Sequence, residues 1–293
     1  MKKLLILSGK GGTGKTTVAA AFARFSGARA LADCDVDAPN LHLVSGELPR
    51  PRVTDFMGGD KAWADREKCL GCGACLEHCR FDALSLYGGK IEIDEYACEG
   101  CGVCAHVCPV GAITLSPDIA GRQELYSDER VFSTAMLKMG RGNSGKLVTK
   151  VKLDLLKYAP DCPLAIVDGS PGIGCPVIAS VGGMDLVLVV AEPSPSGISD
   201  LQRLVKTAES FQAKLAVCVN RWDTSPENTE KIETFCHERE LPFLGRLPYD
   251  RSASLAINQG LSVADVDCPL RDALKELFSR TMALLDLSDT AGI

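Results

Sequence analysis

"GKGGTGKTT", residues 9–17, decides the fold of this 293-residue chain. The stretch fits G-x-x-x-x-G-K-[ST] and lies between an apolar run, "KKLLILS" (2–8), and a helical pattern, "KTTVAAAFARF" (15–25). Gly9, Gly11, Gly12 and Gly14 let backbone N–H groups turn inward around phosphate oxygens, and the start of the following helix adds partial positive charge. In such a loop Lys15 contacts the β- and γ-phosphates and Thr16 gives a hydroxyl to Mg²⁺, while Thr13 and Thr17 belong to the same nucleotide-binding stretch. A nucleoside triphosphate and Mg²⁺ are therefore the expected ligands.

Outward from the loop, short apolar runs alternate with helical patterns. "ARALADCDVD", "PLAIVDG", "DLVLVVAEPS", "KLAVCVNR" and "PFLGRLPYD" read as strands, near-continuous in apolar residues as in a parallel sheet. "KLVTKVKLDLLKYA", with Ser144 ahead of it as N-cap, reads as a helix, as do "GISDLQRLVKTAESF" and "SPENTEKIETFCHERE". The final "PLRDALKELFSRTMALLDL" is amphipathic and reads as a helix packed on the sheet. This order predicts an α/β fold, a mostly parallel sheet with helices on both faces. Residues 49–59 read as a Pro/Gly-punctuated link, and the stretch after residue 118 shows no clear periodicity.

Two cysteine runs interrupt the pattern: "CLGCGACLEHC" (69–79) and "CEGCGVCAHVC" (98–108), which map onto one another with one constant offset. C-x₂-C-x₂-C-x₃-C is the bacterial ferredoxin run, and two copies predict two [4Fe–4S] clusters. Three cysteines wrap one cluster while the fourth reaches across to the other. That gives Cys69, Cys72, Cys75 and Cys108 to the first cluster, and Cys79, Cys98, Cys101 and Cys104 to the second. Pro109 stands where the pattern expects it; Arg80 replaces it in the first copy. Zinc is the alternative, since Cys₄ sites hold it, although zinc motifs usually present separated C-x₂-C pairs. Cys34, Cys162, Cys218, Cys236 and Cys268 read as small buried hydrophobes.

Lys10, directly after the first glycine, narrows the reading further. "GKGGTGKTT" resembles the deviant Walker A motif of the MinD, ParA, Mrp and nitrogenase-iron-protein group. That resemblance implies a nucleotide-dependent homodimer, or a heterodimer with a paralogue, in which Lys10 of one subunit reaches phosphates bound by the other. It also implies catalytic roles for Lys10, Lys15 and Asp35. "LADCDVDAPNLHL" is similar to the switch I segment, with Asp35 matching the residue that orients the attacking water and Asn40 the asparagine after it. "AIVDGSPGIG" resembles switch II and gives Asp168 to Mg²⁺ beside Thr16. "VNRWD" and "GRLPYD" resemble adenine-holding segments, which nominates Asn220, Arg221 and Pro248. Cys175 lies at the distance of a bridging-cluster cysteine in the nitrogenase iron protein, but the chain offers no convincing second one. Its preferred role is redox or packing, with bridging ligation kept as the minor alternative.

Taken whole, the chain resembles MinD-superfamily P-loop ATPases with an inserted small α+β ferredoxin domain. The expected division is an ATPase domain of residues 1–59 and 119–293, and a ferredoxin domain of 60–118.

The net charge of −6 sits almost entirely in that insertion, because residues 60–118 hold five basic and ten acidic residues. A redox partner with a basic docking face is expected. Basic clusters suited to nucleic acid or an anionic membrane are absent from the sequence, and no stretch approaches 18 apolar residues. With no signal-peptide pattern, the expected location is cytoplasmic, where 14 cysteines mean metal binding rather than disulfides. The leading function is an ATPase coupled to electron transfer. An iron–sulfur assembly carrier of the Mrp type is the first alternative, weakened because its C-terminal C-x-x-C pair is missing. A redox-sensing regulatory or positioning module like MinD or ParA is the second.

Overall fold

In the computed structural model the described residues are 1–211 and 213–286. They form two compact units: Met1–Val53, Gln123–Met136 and the chain from Ser144 onward in the first; Thr54–Arg122 and Leu137–Asn143 in the second. The second unit is wider than residues 60–118. Two long strands carry the chain across the boundary, β3 (Arg52–Ala64) and β6 (Ile113–Ser127), so the compact body starts and ends within strands.

The sheet of the first unit runs in the order β11 (Phe243–Leu247), β10 (Lys214–Asn220), β9 (Leu186–Ala191), β1 (Lys2–Leu7), β8 (Leu164–Asp168), β2 (Ala30–Asp33), β7 (Val131–Leu137). These neighbours pair in parallel. Every residue of β9 is buried, as strands covered on both faces require. Leu4 and Ile6 join Ile166, Leu188 and Val190 in one core with Phe22 of α1 (Lys15–Ser26) and Leu274 and Leu277 of α9 (Pro269–Asp286). The alternate residues Leu5, Leu7, Val187 and Val189 are buried too, facing the opposite side. There α5 (Cys175–Val181) packs on β1 and α6 (Pro195–Ala208) on β9. The remaining helices of this unit are α4 (Ser144–Tyr158), α7 (Pro226–Glu238) and α8 (Arg251–Asn258). No helix among the described residues is long and apolar enough to cross a membrane.

Three readings are corrected. The supposed link at 49–59 runs into β3, and the stretch after 118 holds the rest of β6 and then β7. β3 is mostly exposed and so carries no apolar alternation. In β7 the burial of Ser133 and Thr134 hides the pattern; Ser133 Oγ donates to the Val151 carbonyl at 2.9 Å. Ser144 is the first residue of α4 rather than its cap, following Asn143 at φ 71°.

The second unit extends the cysteine repeat well beyond the cysteines. With the same offset, residues 60–84 fall on 89–113. Gly73 (φ 78°) opens α2 (Ala74–Glu77) and Gly102 (φ 80°) opens α3 (Val103–His106). Cys69 N–H donates to the Asp65 carbonyl at 3.0 Å, and Cys98 N–H to the Asp94 carbonyl at 3.0 Å. The positive φ recurs even where the residue changes, at Asp82 (51°) and Gly111 (61°). Between the copies, β4 (Leu84–Tyr87) and β5 (Lys90–Ile93) pair antiparallel through a Gly88-Gly89 turn with both φ positive.

Candidate nucleotide site and cysteine cavities

The glycine loop leaves β1 and enters α1 through Gly12 (φ 78°) and Gly14 (φ 95°), where a side chain would be strained. Space is equally limiting: a Cβ on Gly14 would lie 2.4 Å from Asn220 Nδ2, and one on Gly9 would lie 2.4 Å from Asp200 Cβ. Asn220 Nδ2 also donates to the Thr13 carbonyl at 2.7 Å, so it supports the loop from behind. Thr13 Oγ1 is buried with no hydrogen-bond partner.

At the mouth of the loop, four buried charges converge from three segments. Lys15 Nζ lies 3.1 Å from Asp35 Oδ2 and 3.2 Å from Asp168 Oδ1. Thr16 Oγ1 donates to Asp168 Oδ2 at 2.5 Å. Parallel pairing of β2 with β8 sets Asp33 beside Asp168 in register. Asp33 Oδ1 accepts the Asp35 N–H at 3.0 Å, and Oδ2 accepts those of Asn40 and Leu41, each at 2.9 Å. Asp33 thus holds the loop that carries Asp35 and Asn40, a larger role than ending its strand.

Burial pulls the Lys15 ammonium toward neutrality, but Asp168, Asp35 and Asp33 together more than offset this and hold its pKa above the ordinary value. Burial pushes the Asp168 carboxyl up, against the pull of Lys15 and Thr16. Asp33 is pushed from 3.8 to about 7 by burial and by Asp168, despite the Leu41 and Asp35 amides and Lys15. The folded chain therefore keeps a proton on Asp33 that the unfolded chain has already released. Between pH 3.8 and about 7 the folded state binds more protons, so this contribution to stability is lost as pH rises through that window. Asp33→Asn should flatten the dependence there by up to about 1.4 kcal/mol per pH unit, read from denaturation curves at several pH values. An unchanged slope would mean that Asp33 does not carry the proton.

A cleft of about 310 Å³ opens on these groups. Its phosphate end is Gly11, Gly12, Gly14, Lys15, Thr16 and Thr17, with Asp35 and Asn40 beside them. Its other end is apolar: Ala20, Leu43, Val44, Ile257, Leu261 and Val263, with Ser262 and Arg221. Of the nominated adenine residues, Arg221 alone lines the cleft; Asn220 lies behind the loop, and Pro248 is not among the lining residues. The apolar wall was missed because it comes from a 3-10 turn, Leu41–Val44, and from the end of α8 onward, neither of which carries a motif. Leu43, Ile257 and Leu261 are exposed apolar residues, a feature of the fold that no local sequence pattern marks. Lys10 points elsewhere, with Nζ 2.9 Å from Glu192 Oε2 and 3.3 Å from the hydroxyls of Ser194 and Ser196.

In the second unit the eight run cysteines divide into two sets. Cys69, Cys72, Cys75 and Cys108 line one cavity with Leu70, Ile91 and Pro109. Cys79, Cys98, Cys101 and Cys104 line another with His78, Phe81 and Glu99. Among the described residues no three His, Cys, Asp or Glu side chains converge to hold a single metal ion; the thiols surround space instead. Burial pushes up the Cys75 thiol, with Cys108 and Cys69 adding repulsion, and likewise Cys104 beside Cys98 and Cys101. Cys108 is held low because the amides of Val110, Ala112, Ile113 and Gly111 outweigh its burial. Backbone N–H groups donate to sulfur from Gly71 to Cys69 and from Gly100 to Cys98, both at 3.4 Å. Arg80 is exposed and does not line the second cavity. Cys175 is exposed at the first residue of α5.

A sequence model described as the CobQ/CobB/MinD/ParA nucleotide binding domain matches residues 4–263. An uncharacterized protein of Methanocaldococcus jannaschii is 29% identical over 287 residues, covering 95% of each chain. An uncharacterized ATP-binding protein of the same organism is 26% identical over 291 residues, covering 94% of this chain and 86% of its own. Among solved structures, the septum site-determining protein MinD of Pyrococcus horikoshii in complex with Mg-ADP superposes with a TM-score of 0.57 at 17% identity, covering 98% of both chains.

Proposed function

The chain belongs to the CobQ/CobB/MinD/ParA nucleotide-binding family, and from that premise we propose a nucleotide-dependent dimeric ATPase that couples ATP to electron transfer through two [4Fe–4S] clusters. The observation that carries the coupling is the sorting of eight cysteines into two four-thiol cavities in a chain that also builds a complete phosphate loop.

On this reading Lys15 exchanges its carboxylate partners for phosphate oxygens, and Thr16 and Asp168 hold Mg²⁺. The Mg-ADP bound by the similar Pyrococcus protein and the name of the ATP-binding relative support an adenine nucleotide. Arg221 and the apolar wall of Leu43, Ile257 and Leu261 are the groups available to the base. Asp35, carried on the loop that Asp33 fixes, orients the attacking water. Lys10 lies outside the cleft of its own subunit, consistent with service to a partner's phosphates, where a second cation would offset charge developing on the transferred group.

The cysteine unit fits clusters better than single ions. A lone zinc needs four sulfurs about 2.3 Å from one centre, whereas these thiols surround cavities. Iron would also relieve the mutual repulsion of thiolates at the buried Cys75 and the half-buried Cys104. Each cluster, when bound, supplies reversible one-electron storage. The acidic surplus of residues 60–118 suits a redox partner with a basic face, and free thiols in this number suit a cytoplasmic setting.

The test is anaerobic purification, iron and sulfide analysis, and redox titration followed by EPR, with and without a non-hydrolysable MgATP analogue. A nucleotide-dependent shift of about 60 mV, a tenfold coupling for one electron, is expected. Clusters whose potentials ignore nucleotide would remove the coupling and leave cluster delivery as the better reading.

A further inference from the structure

Within the cysteine unit, Lys61 and Lys90 are equivalent positions of the repeat, each eight residues before the first cysteine of its own run. Neither ammonium turns to that run. Lys61 Nζ donates to the carbonyl of Cys98, and Lys90 Nζ donates to the carbonyl of Cys69. The residue before each lysine makes the same crossing. The Asp60 carbonyl lies 2.0 Å from where a Cβ on Gly100 would be, and the Gly89 carbonyl lies 2.0 Å from the same point on Gly71. Thus Asp60-Lys61 is pressed against the loop of the second run and Gly89-Lys90 against that of the first. The cysteines cross in the same sense, Cys79 to the second set and Cys108 to the first.

We propose that Lys61 and Lys90 are crosswise counter-cations. Each fixes a positive charge beside the four-cysteine set drawn mainly from the other copy, and each raises the reduction potential of a cluster bound there. This positioning role rests on the two-cluster reading above. Four thiolates make each site anionic, and reduction adds one more electron, so a nearby fixed cation stabilises the reduced form more than the oxidised one. Both lysines are half-buried, which screens the effect less than full exposure would. The N–H groups of Gly71, Gly100 and Ala112 that donate to sulfur act in the same direction.

The experiment is an EPR-followed redox titration of the reconstituted full chain carrying Lys61→Gln, Lys61→Arg, Lys90→Gln or Lys90→Arg. Signals are assigned with Cys72→Ala and Cys101→Ala, each of which disables one site. Lys61→Gln should lower the potential of the Cys79/Cys98/Cys101/Cys104 site alone. The expected change is three- to tenfold in the reduced-to-oxidised ratio, about 28–59 mV for one electron. Lys90→Gln should do the same to the other site, and arginine should restore both. If a glutamine variant loses iron instead, the loss should fall on that same crosswise site. A shift or loss at the sequence-near site overturns the proposal, as does a change below threefold at both. A wild-type chain that binds neither iron nor sulfide fails the cluster reading before any lysine is compared, and the proposal with it.

Discussion

Lys15→Met should weaken nucleotide binding at least a hundredfold and also destabilise the folded chain at neutral pH by about 3–5 kcal/mol. The first effect follows because, among the described residues, Lys15 is the cation at the phosphate end of the cleft wall, with Arg221 at the far end. The second follows from what Lys15 touches in the structure. It is 6% exposed and lies against Asp35 and Asp168, with Asp33 close enough to raise its pKa. Removing it leaves three buried carboxylates with no cation among them. Asp33 and Asp168 already sit above the ordinary carboxylate range, so the variant has an easy escape in taking up protons. Its folded state then binds more protons than the wild type, and its stability deficit should shrink as pH falls from 8 toward 5. Denaturation curves at the two pH values, beside a fluorescent-nucleotide titration, measure both effects. Equal stability of variant and wild type at pH 8 would show that Lys15 does not neutralise the cluster.

That cluster also shows what a sequence can and cannot announce. Lys15, Thr16, Asp35 and Asp168 were legible because each lies in a short motif at the end of an apolar strand, where local pattern and position coincide. Asp33 lies in the same stretch at the end of β2, but nothing local marks its role; its three amide partners, Asp35, Asn40 and Leu41, appear only once the loop has folded back. The apolar wall of the cleft was invisible for a different reason. Leu43 and Ile257 are more than 200 residues apart, and only the packing of the first unit places them in one cleft. The strands show the same division. β1, β9 and β10 are buried on both faces and read as apolar runs, whereas β3 is mostly exposed and has no such run to read. In the cysteine unit, the matching cysteines were plain, but the longer repeat is one of conformation. Asp82 and Gly111 share a positive φ without sharing a side chain, and the crossing of Lys61 and Lys90 is a property of the fold alone.

If the two-cluster proposal holds, Cys79→Ala should remove about one cluster's worth of iron, and the cluster lost should be that of Cys98, Cys101 and Cys104. Sequence proximity argues otherwise, since Cys79 closes the run that begins at Cys69. The structure instead puts it on the cavity wall with the three cysteines of the second run. Three remaining thiols would leave one iron without its protein ligand, and Cys₄ ligation is the rule for such clusters. The decisive comparison is non-additivity. Two substitutions at one site remove the same cluster, so Cys79→Ala with Cys101→Ala should lose no more iron than either alone. Cys79→Ala with Cys72→Ala should lose nearly all of it, because Cys72 lines the other cavity. Iron and sulfide per chain, with integrated EPR intensity, measure the outcome; the reverse pattern would refute the interleaved assignment. Nucleotide affinity serves as the folding control. The cleft is built from the first unit and Cys79 belongs to the second, so normal nucleotide binding reports the fold of the first unit, and retention of the cluster of Cys69, Cys72, Cys75 and Cys108 reports that the second has lost a ligand and kept its fold.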